Sequence, residues 1–382
     1  MLEDAKVVFE TIGDRLGAAQ CSRSLGDILR VQSRYMEAVA MLEGAKAAFE
    51  AIGNRLGAAE CTQIIGNILR GKSRNREAVR MLEEAKAAFE AIGDRLGAAA
   101  STQSLGEILL GQSRYMEAVV MLEEAKAAFE AIGDRLGAAQ CTRSLGDILR
   151  MQSRYVEAVA MMEEAKVTFD VLGSRLGVAE CTWRLGDILR MQSRYVEAVA
   201  MLEEAKMMFE ALGNRLGAAE CTWRLGDILR LQSRYLEAVA MLEEAKAAFE
   251  ALGNRLGAAQ CTRGLADVMS SQTRYMEAVP MLEEAKAAFE ALGNRLGAAQ
   301  CTQRLGYMLC GQSRYMEAVP MLEQARVTFE ALGEQLSAAQ CTHMCDLVCA
   351  QLRYVEAGPM VEDGWKILGI VWKPWRNWPW KR

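Results

Sequence analysis

The chain has 382 residues, about half of them apolar and a quarter charged, with a formal net charge of −5. That is enough apolar material for a core, and the wrong sign of charge for non-specific nucleic-acid binding. No 18-residue apolar run occurs, and Met1 to Phe9 is a charged amphipathic stretch, so neither a spanning helix nor a secretory leader is expected.

Gly13, Gly53, Gly93, Gly133, Gly173, Gly213, Gly253, Gly293 and Gly333 mark a 40-residue beat without one insertion or deletion. A fixed period of this length means a solenoid, in which each unit stacks on its neighbours. It overrides the two or three domains that length alone suggests. Residues 1–13 read as a leading half unit, a second-type (B) helix alone. The chain is then either a fragment of a longer protein or capped by that helix. Residues 14–363 read as nine helical hairpins, the last three degenerate, and residues 364–382 as a separate tail.

The first full repeat shows the plan. Asp14 has an N-capping side chain, and its counterparts Asn54, Asp94, Asp134, Ser174, Asn214, Asn254 and Asn294 share that capacity. Gly13 before it suits the left-handed residue that ends the preceding helix. Helix A is expected from about Arg15 to Val31, with Ala18, Cys21, Leu25, Ile28 and Leu29 at helical spacing. Gly17 and Gly26 cost this helix about 1 kcal/mol each against Ala, so close approach of a neighbouring helix is expected there. Ser33 is read as the cap of helix B, from about Arg34 to Ile52, whose stripe is Tyr35, Ala38, Val39, Leu42, Ala45, Phe49 and Ile52.

Further along, Gly66-Asn67-Ile68-Leu69-Arg70-Gly71-Lys72-Ser73 matches the phosphate-loop pattern letter for letter. That chemistry needs a loop between a strand and a helix, whereas this phrase falls on a helix and its turn, so no nucleotide or other cofactor is expected. Pro280 and Pro320 fall inside helix B, where a kink is expected. The ninth unit has Cys345-Asp346 in place of Leu-Gly.

Eight of eleven cysteines occupy one repeat position, where Ser101 stands once, which reads as a small buried residue in a reducing, cytoplasmic compartment. Cys341, Cys345 and Cys349 lie four apart, but the only histidine, His343, points elsewhere, so a packed face is expected rather than a metal site. With one histidine and no paired nucleophile, an enzyme is not expected. The tail carries Trp365, Trp372, Trp375, Trp378 and Trp380 among five basic residues and no acid, leaving the body at −10. A cap over the last repeat or a disordered end is the expectation, with attachment to a membrane surface the less favoured alternative.

Leu25, Gly26, Tyr35, Glu37, Ala38 and Ala45, in that order, resemble the tetratricopeptide repeat, and the resemblance recurs from residue 1 to about 360. The departure is length, 40 residues in place of 34. The long repeats look like those of kinesin light chains, spindle-orientation adaptors and the arrays of fungal nucleotide-binding signalling proteins. The resemblance implies an all-α right-handed superhelical solenoid of stacked hairpins that acts as a protein-interaction scaffold. A detached sensor array of such a signalling protein is the alternative.

Repeat positions 20, 23, 27 and 30, numbered by the first repeat, share one face of helix A. In the family this face lines the concave groove. Here it varies while the frame holds: Trp183 and Trp223 stand at position 23, flanked by Arg143 and Arg263. Asp147, Asp187, Asp227 and Asp267 stand at position 27, and Arg150, Arg190 and Arg230 at position 30. Trp and Arg are enriched among residues that dominate interfaces. These eleven residues are the candidate site for an extended peptide or partner segment. The tryptophans would anchor apolar side chains, the aspartates read N–H or basic groups, and the arginines acidic ones. In related adaptors an Asn at position 27 contacts peptide backbone; Asn67 keeps it. The competing reading is that the Asp and Arg three apart pair with each other and stay solvated.

Overall fold

The structure, a computed structural model, describes residues 1–72 and 74–357, of which 352–357 by their backbone alone. All regular elements among them are α-helices. Two compact units are formed, Met1–Asn214 and Arg215 onward. In the first, α1 (Leu2–Ile12) precedes the hairpins α2 (Arg15–Val31) with α3 (Tyr35–Ala51), α4 (Arg55–Gly71) with α5 (Asn75–Ile92) and α6 (Arg95–Gly111) with α7 (Tyr115–Ile132). Two more follow, α8 (Arg135–Met151) with α9 (Tyr155–Val171) and α10 (Arg175–Met191) with α11 (Tyr195–Ala211). The second unit holds α12 (Arg215–Leu231) with α13 (Tyr235–Ala251), α14 (Arg255–Ser271) with α15 (Tyr275–Ala291), α16 (Arg295–Gly311) with α17 (Tyr315–Ala331), and α18 (Gln335–Ala357). Even-numbered helices are the A helices of the sequence plan, and odd-numbered ones the B helices.

The junctions follow from two residues. The glycine that ends each B helix sits at φ between 67° and 78°, a left-handed conformation that spares it a Cβ clash. The next residue caps: Asp14, Asn54, Asp94, Asp134, Asn254 and Asn294 each accept from the N–H three residues on, at 2.8–3.1 Å. Ser174, grouped with them by sequence, makes no such bond.

The glycines inside helix A admit neighbouring helices. A Cβ on Gly17, Gly57, Gly97, Gly137, Gly177, Gly257 or Gly297 would lie 2.4–2.7 Å from the phenylalanine ring of the preceding B helix. A Cβ on Gly26 or Gly186 would lie 2.7–2.8 Å from Leu42 or Leu202 of the following one. Gly66 belongs to this second set, against Leu82, so the phosphate-loop match is a helix-packing site on α4. The Ala38, Leu42, Ala45 and Phe49 quartet is buried in α3, and its counterparts are buried in each later B helix. The cysteine position is buried too, and Ser101 there donates its hydroxyl to the Gly97 carbonyl at 2.9 Å.

One expectation is corrected. Ser33 does not cap helix B. It sits at φ 62° and closes helix A, its N–H bonding the Arg30 carbonyl at 3.0 Å while that of Arg34 bonds the Leu29 carbonyl at 2.9 Å. The N-cap of α3 is Arg34, with no side-chain cap bond. Pro280 and Pro320 lie on the exposed side inside α15 and α17, which span the same 17 residues as α13. Lastly, α18 continues for 23 residues where its counterparts stop after 17, since the left-handed Ser of the usual turn is missing. The tail 364–382 and its tryptophans lie outside the described residues.

Candidate functional site

Consecutive A helices touch one another within each unit: α2 with α4, α4 with α6, α6 with α8, α8 with α10, and α12 with α14. The B helices leave a wide exposed side, at Met36, Glu37, Ala40, Glu43 and Gly44 in α3 for example. From the second repeat to the eighth, positions 23, 27 and 30 are partly or wholly buried on the A-helix face, where side chains of adjacent repeats reach each other.

That reach builds a ladder. A residue on one A helix meets the residue 37 further on, which is one period less one helical turn. Arg23 pairs with Glu60, Arg70 with Glu107 and Arg143 with Glu180. Gln103 donates to Gln140 at 3.4 Å, amide to amide. In α8 and α10 the ladder closes into a network. Arg184 Nε donates to Asp147 Oδ2 at 2.7 Å, and Arg150 Nη1 to Asp187 Oδ2 at 3.2 Å. Asp187 also accepts from Arg190 Nε at 3.0 Å, and Arg150 lies 3.4 Å from Asp147 within its own helix. Burial pulls the Arg184 pKa down, but Asp147 and Glu180 outweigh it and the net direction is up.

The local Asp–Arg pairing weighed in the sequence is thus present, at 3.1 Å for Asp27 with Arg30 and 2.6 Å for Asp227 with Arg230. It is not a solvated pair throughout. The Asp27 and Arg30 side chains are 41% and 44% exposed, whereas those of Asp147 and Arg150 are 15% and 18%, and that of Asp187 is 2%. Asp187 is therefore a buried acceptor for two guanidiniums. Asp267 is likewise buried, with Arg304 Nε 3.1 Å from its Oδ1.

The two tryptophans differ from the charged residues. Both are half-buried, and each lies beneath the arginine that follows it: the Arg184 guanidinium is 5.3 Å from the Trp183 ring and that of Arg224 is 4.2 Å from the Trp223 ring. Trp223 also packs against two buried clusters, one that holds Ala219 and Phe249 and one that holds Leu242, so it has a core role in the second unit. The Trp183 indole N–H is buried without a hydrogen-bond partner. Arg143 and Arg263 are half-buried; the Arg263 guanidinium donates to the Gln300 side chain and burial holds its pKa below the ordinary range. Arg184, Arg224 and Arg304 at position 24 were missed in the sequence, although Asp147 and Asp267, the partners of Arg184 and Arg304, lie one period less one turn away.

Among the described residues no group of three or more His, Cys, Asp or Glu is arranged to hold a metal ion. Cys341, of the trio considered earlier, is buried with Ala299, Ala325, Phe329 and Ala338. No helix of the described residues is long and apolar enough to cross a membrane.

A model of the tetratricopeptide repeat matches residues 17–91, 98–166 and 218–291. Comparison with curated protein sequences gave no match. Among solved structures, a Rap protein complexed with competence and sporulation factor is similar at a TM-score of 0.61 and 13% identity, covering 88% of this chain and 98% of its own. The Rap conjugation gene regulator of plasmid pLS20 in complex with the Phr* peptide is similar at 0.53 and 12%, covering 89% and 99%. A signal transduction ATPase with numerous domains and a tetratricopeptide repeat sensor, from Pyrococcus horikoshii, is similar at 0.56 and 15%, covering 87% of this chain and 54% of its own.

Proposed function

Because the chain belongs to the tetratricopeptide repeat family, we propose that it is an interaction scaffold whose A-helix faces take up an extended peptide or partner segment. The observation that carries this reading is the half-buried tryptophan under an arginine, present in each unit as Trp183 with Arg184 and Trp223 with Arg224. A large amphipathic ring partly open to solvent and backed by a cation supplies binding area at little entropic cost. In the first unit Trp183 stands with Arg143, Asp147, Arg150 and Arg190, and Asp187 beneath them sets the guanidinium positions. In the second, Trp223 stands with Asp227, Arg230 and Arg263, and Asp267 plays the supporting part. The two peptide-bound Rap structures share the fold and support the reading.

A displayed library of extended octapeptides tests it, panned against the native chain and against Trp183→Ala and Trp223→Ala variants of equal helicity. The expected result is a family of binders weakened at least tenfold by one of the two substitutions. Binders indifferent to both would remove the A-helix face as the site.

The likeness to a sensor-bearing signalling ATPase favours a second reading, in which the array serves as the sensor of such a protein. A nucleotide-binding domain encoded in frame with these repeats would support it, and transcripts encoding the repeats alone would count against it.

A further inference from the structure

The second repeat departs from the other seven hairpins at the start of its B helix. Position 36, numbered by the first repeat, is aliphatic in those seven. It is Met36, Met116, Val156 and Val196 in the first unit and Leu236, Met276 and Met316 in the second, each 73–87% exposed. In the second repeat it is Arg76. Position 40 is Ala, Val or Pro in the seven and Arg80 here, and position 32 is Gln in the seven and Lys72 here. Three cations thus stand where the other hairpins are neutral.

Arg76 and Arg80 are exposed one helical turn apart on α5, and among the described residues neither is in an ion pair. Like charges at that spacing weaken a helix slightly, so the pair adds nothing to the fold. The acids of α5 do not answer them. Arg74 holds Glu77 at 2.6 Å, Lys46 of α3 holds Glu84 at 2.5 Å, and Lys86 lies 4.0 Å from Glu90. Glu83 is exposed and pairs with neither arginine. Lys46 with Glu84 and Lys86 with Glu124 join α3 to α5 and α5 to α7, so the three B helices are neighbours. Met36 and Ala40 of α3 stand in the register of the two arginines, as do Met116 and Val120 of α7, all exposed. A cleft of about 510 Å³ is lined by Tyr35, Met36, Val39, Ile68, Leu69 and Lys72, with Lys72 Nζ 3.8 Å from the centre of the Tyr35 ring.

We propose that the exposed side of α3, α5 and α7 is a second docking surface, for an acidic segment of a partner protein. Carboxylates of the segment meet Arg76 and Arg80, and apolar side chains beside them settle on Met36, Met116 and Val120 and in the Tyr35 cleft. Charge complementarity selects this occupant, since guanidiniums hold carboxylates by paired, charge-assisted hydrogen bonds. A nucleic-acid backbone or an anionic lipid surface draws its binding from many cations, and here it would lie over Glu37, Glu43, Glu77, Glu83, Glu117 and Glu123, which the same helices expose. A short segment with its acids set between apolar residues needs only the arginines and their apolar neighbours. The surface shares no residue with the A-helix site, so each is tested without the other.

The test compares the full native chain with one carrying Lys72→Gln, Arg76→Met and Arg80→Ala. These changes restore the residues of the first repeat, Gln32, Met36 and Ala40, so the variant is expected to fold as the native chain does. Displayed dodecapeptides are panned on the native chain with the restored chain in solution as competitor, which removes binders of the A-helix face. The expected result is a family with two or more Asp or Glu among apolar residues. Its members should bind the native chain at least tenfold more tightly than the restored one, and lose at least tenfold when their acids become Asn or Gln. Trp183→Ala should change their affinity less than twofold. Failure to select any peptide that distinguishes the two chains would overturn the proposal, and so would selected peptides that bind equally well without their acids. A single-stranded oligonucleotide and phosphatidylserine vesicles are measured alongside. If either binds the native chain more tightly than every selected peptide and loses that binding with the restored chain, the acidic protein segment is the wrong occupant and the proposal falls.

Discussion

Two alanine substitutions in one helix should act with opposite sign. Gly137 and Gly146 both lie in α8, but they face different neighbours. A Cβ on Gly137 would lie 2.6 Å from Phe129 Cδ1 and 2.7 Å from Cγ and Cε1. That ring is 2% exposed and shares a buried cluster with Ala99, Ala125 and Cys141, so it has little room to give way. A Cβ on Gly146 would meet the far end of a flexible chain, Met162 Cε, at 2.9 Å. Overpacking a rigid core costs about 1–3 kcal/mol, and Gly→Ala in a helix interior returns about 1 kcal/mol. Gly137 is the third residue of α8, where little of that return applies, so Gly137→Ala should cost about 2 kcal/mol. Gly146→Ala should be neutral or stabilising by up to about 1 kcal/mol. The chain carries a control, for Ala266 occupies the position of Gly146 in α14 and is fully buried. A repeat array can open unit by unit, so the readout is amide exchange within α8 across a urea series, backed by global melts. Equal effects of the two substitutions, or a stabilising Gly137→Ala, would refute the packing argument.

Thr273 holds a β-branched side chain at φ 62°, where glycine is at no disadvantage, so Thr273→Gly should stabilise by about 1–2 kcal/mol in a urea melt. Asp187→Ala should destabilise by about 3–5 kcal/mol, because it leaves the Arg150 and Arg190 guanidiniums without their shared buried acceptor; a loss under about 1 kcal/mol would show that neither depends on it. Burial pushes the thiols of Cys141 and Cys261 up to about 12 and that of Cys181 to about 11, from an ordinary value of 9.0. The folded state thus keeps protons that the unfolded state releases. The contribution to stability is intact below pH 9 and declines as pH rises toward 12, a trend that denaturant midpoints taken from pH 8 to 11 should show. At pH 8 these thiols should react with an alkylating reagent only as fast as the array opens.

Much of the fold was legible because a 40-residue period repeats each signal. The Gly-Asp and Gly-Asn junctions marked both a stop and a start, and the α2 limits, Arg15 and Val31, match those read from the sequence. Ser33 misled because serine is a common cap and an uncommon left-handed residue, and the conformation that decides between them is not visible in composition. For the candidate site, the variable positions were found but their partners were not. Pairing within one helix, three residues apart, gave Asp27 with Arg30; the second bond of Asp187, to Arg150, crosses repeats at a separation of 37. That separation follows from the period and the helical turn together, so Arg184 and Arg304 were within reach of sequence arithmetic. Burial was not, and Asp187 is buried.

The central claim is that ligand lies along the A helices. The direct measurement is a photo-crosslinking footprint: a selected octapeptide carrying a benzophenone at each position in turn, irradiated on the native chain and mapped by peptide mass. The account predicts adducts on A-helix segments at repeat positions 23, 24, 27 and 30, centred on Trp183 or on Trp223 with Arg263. Adducts confined to the exposed sides of the B helices, or to residues beyond 357, would contradict it.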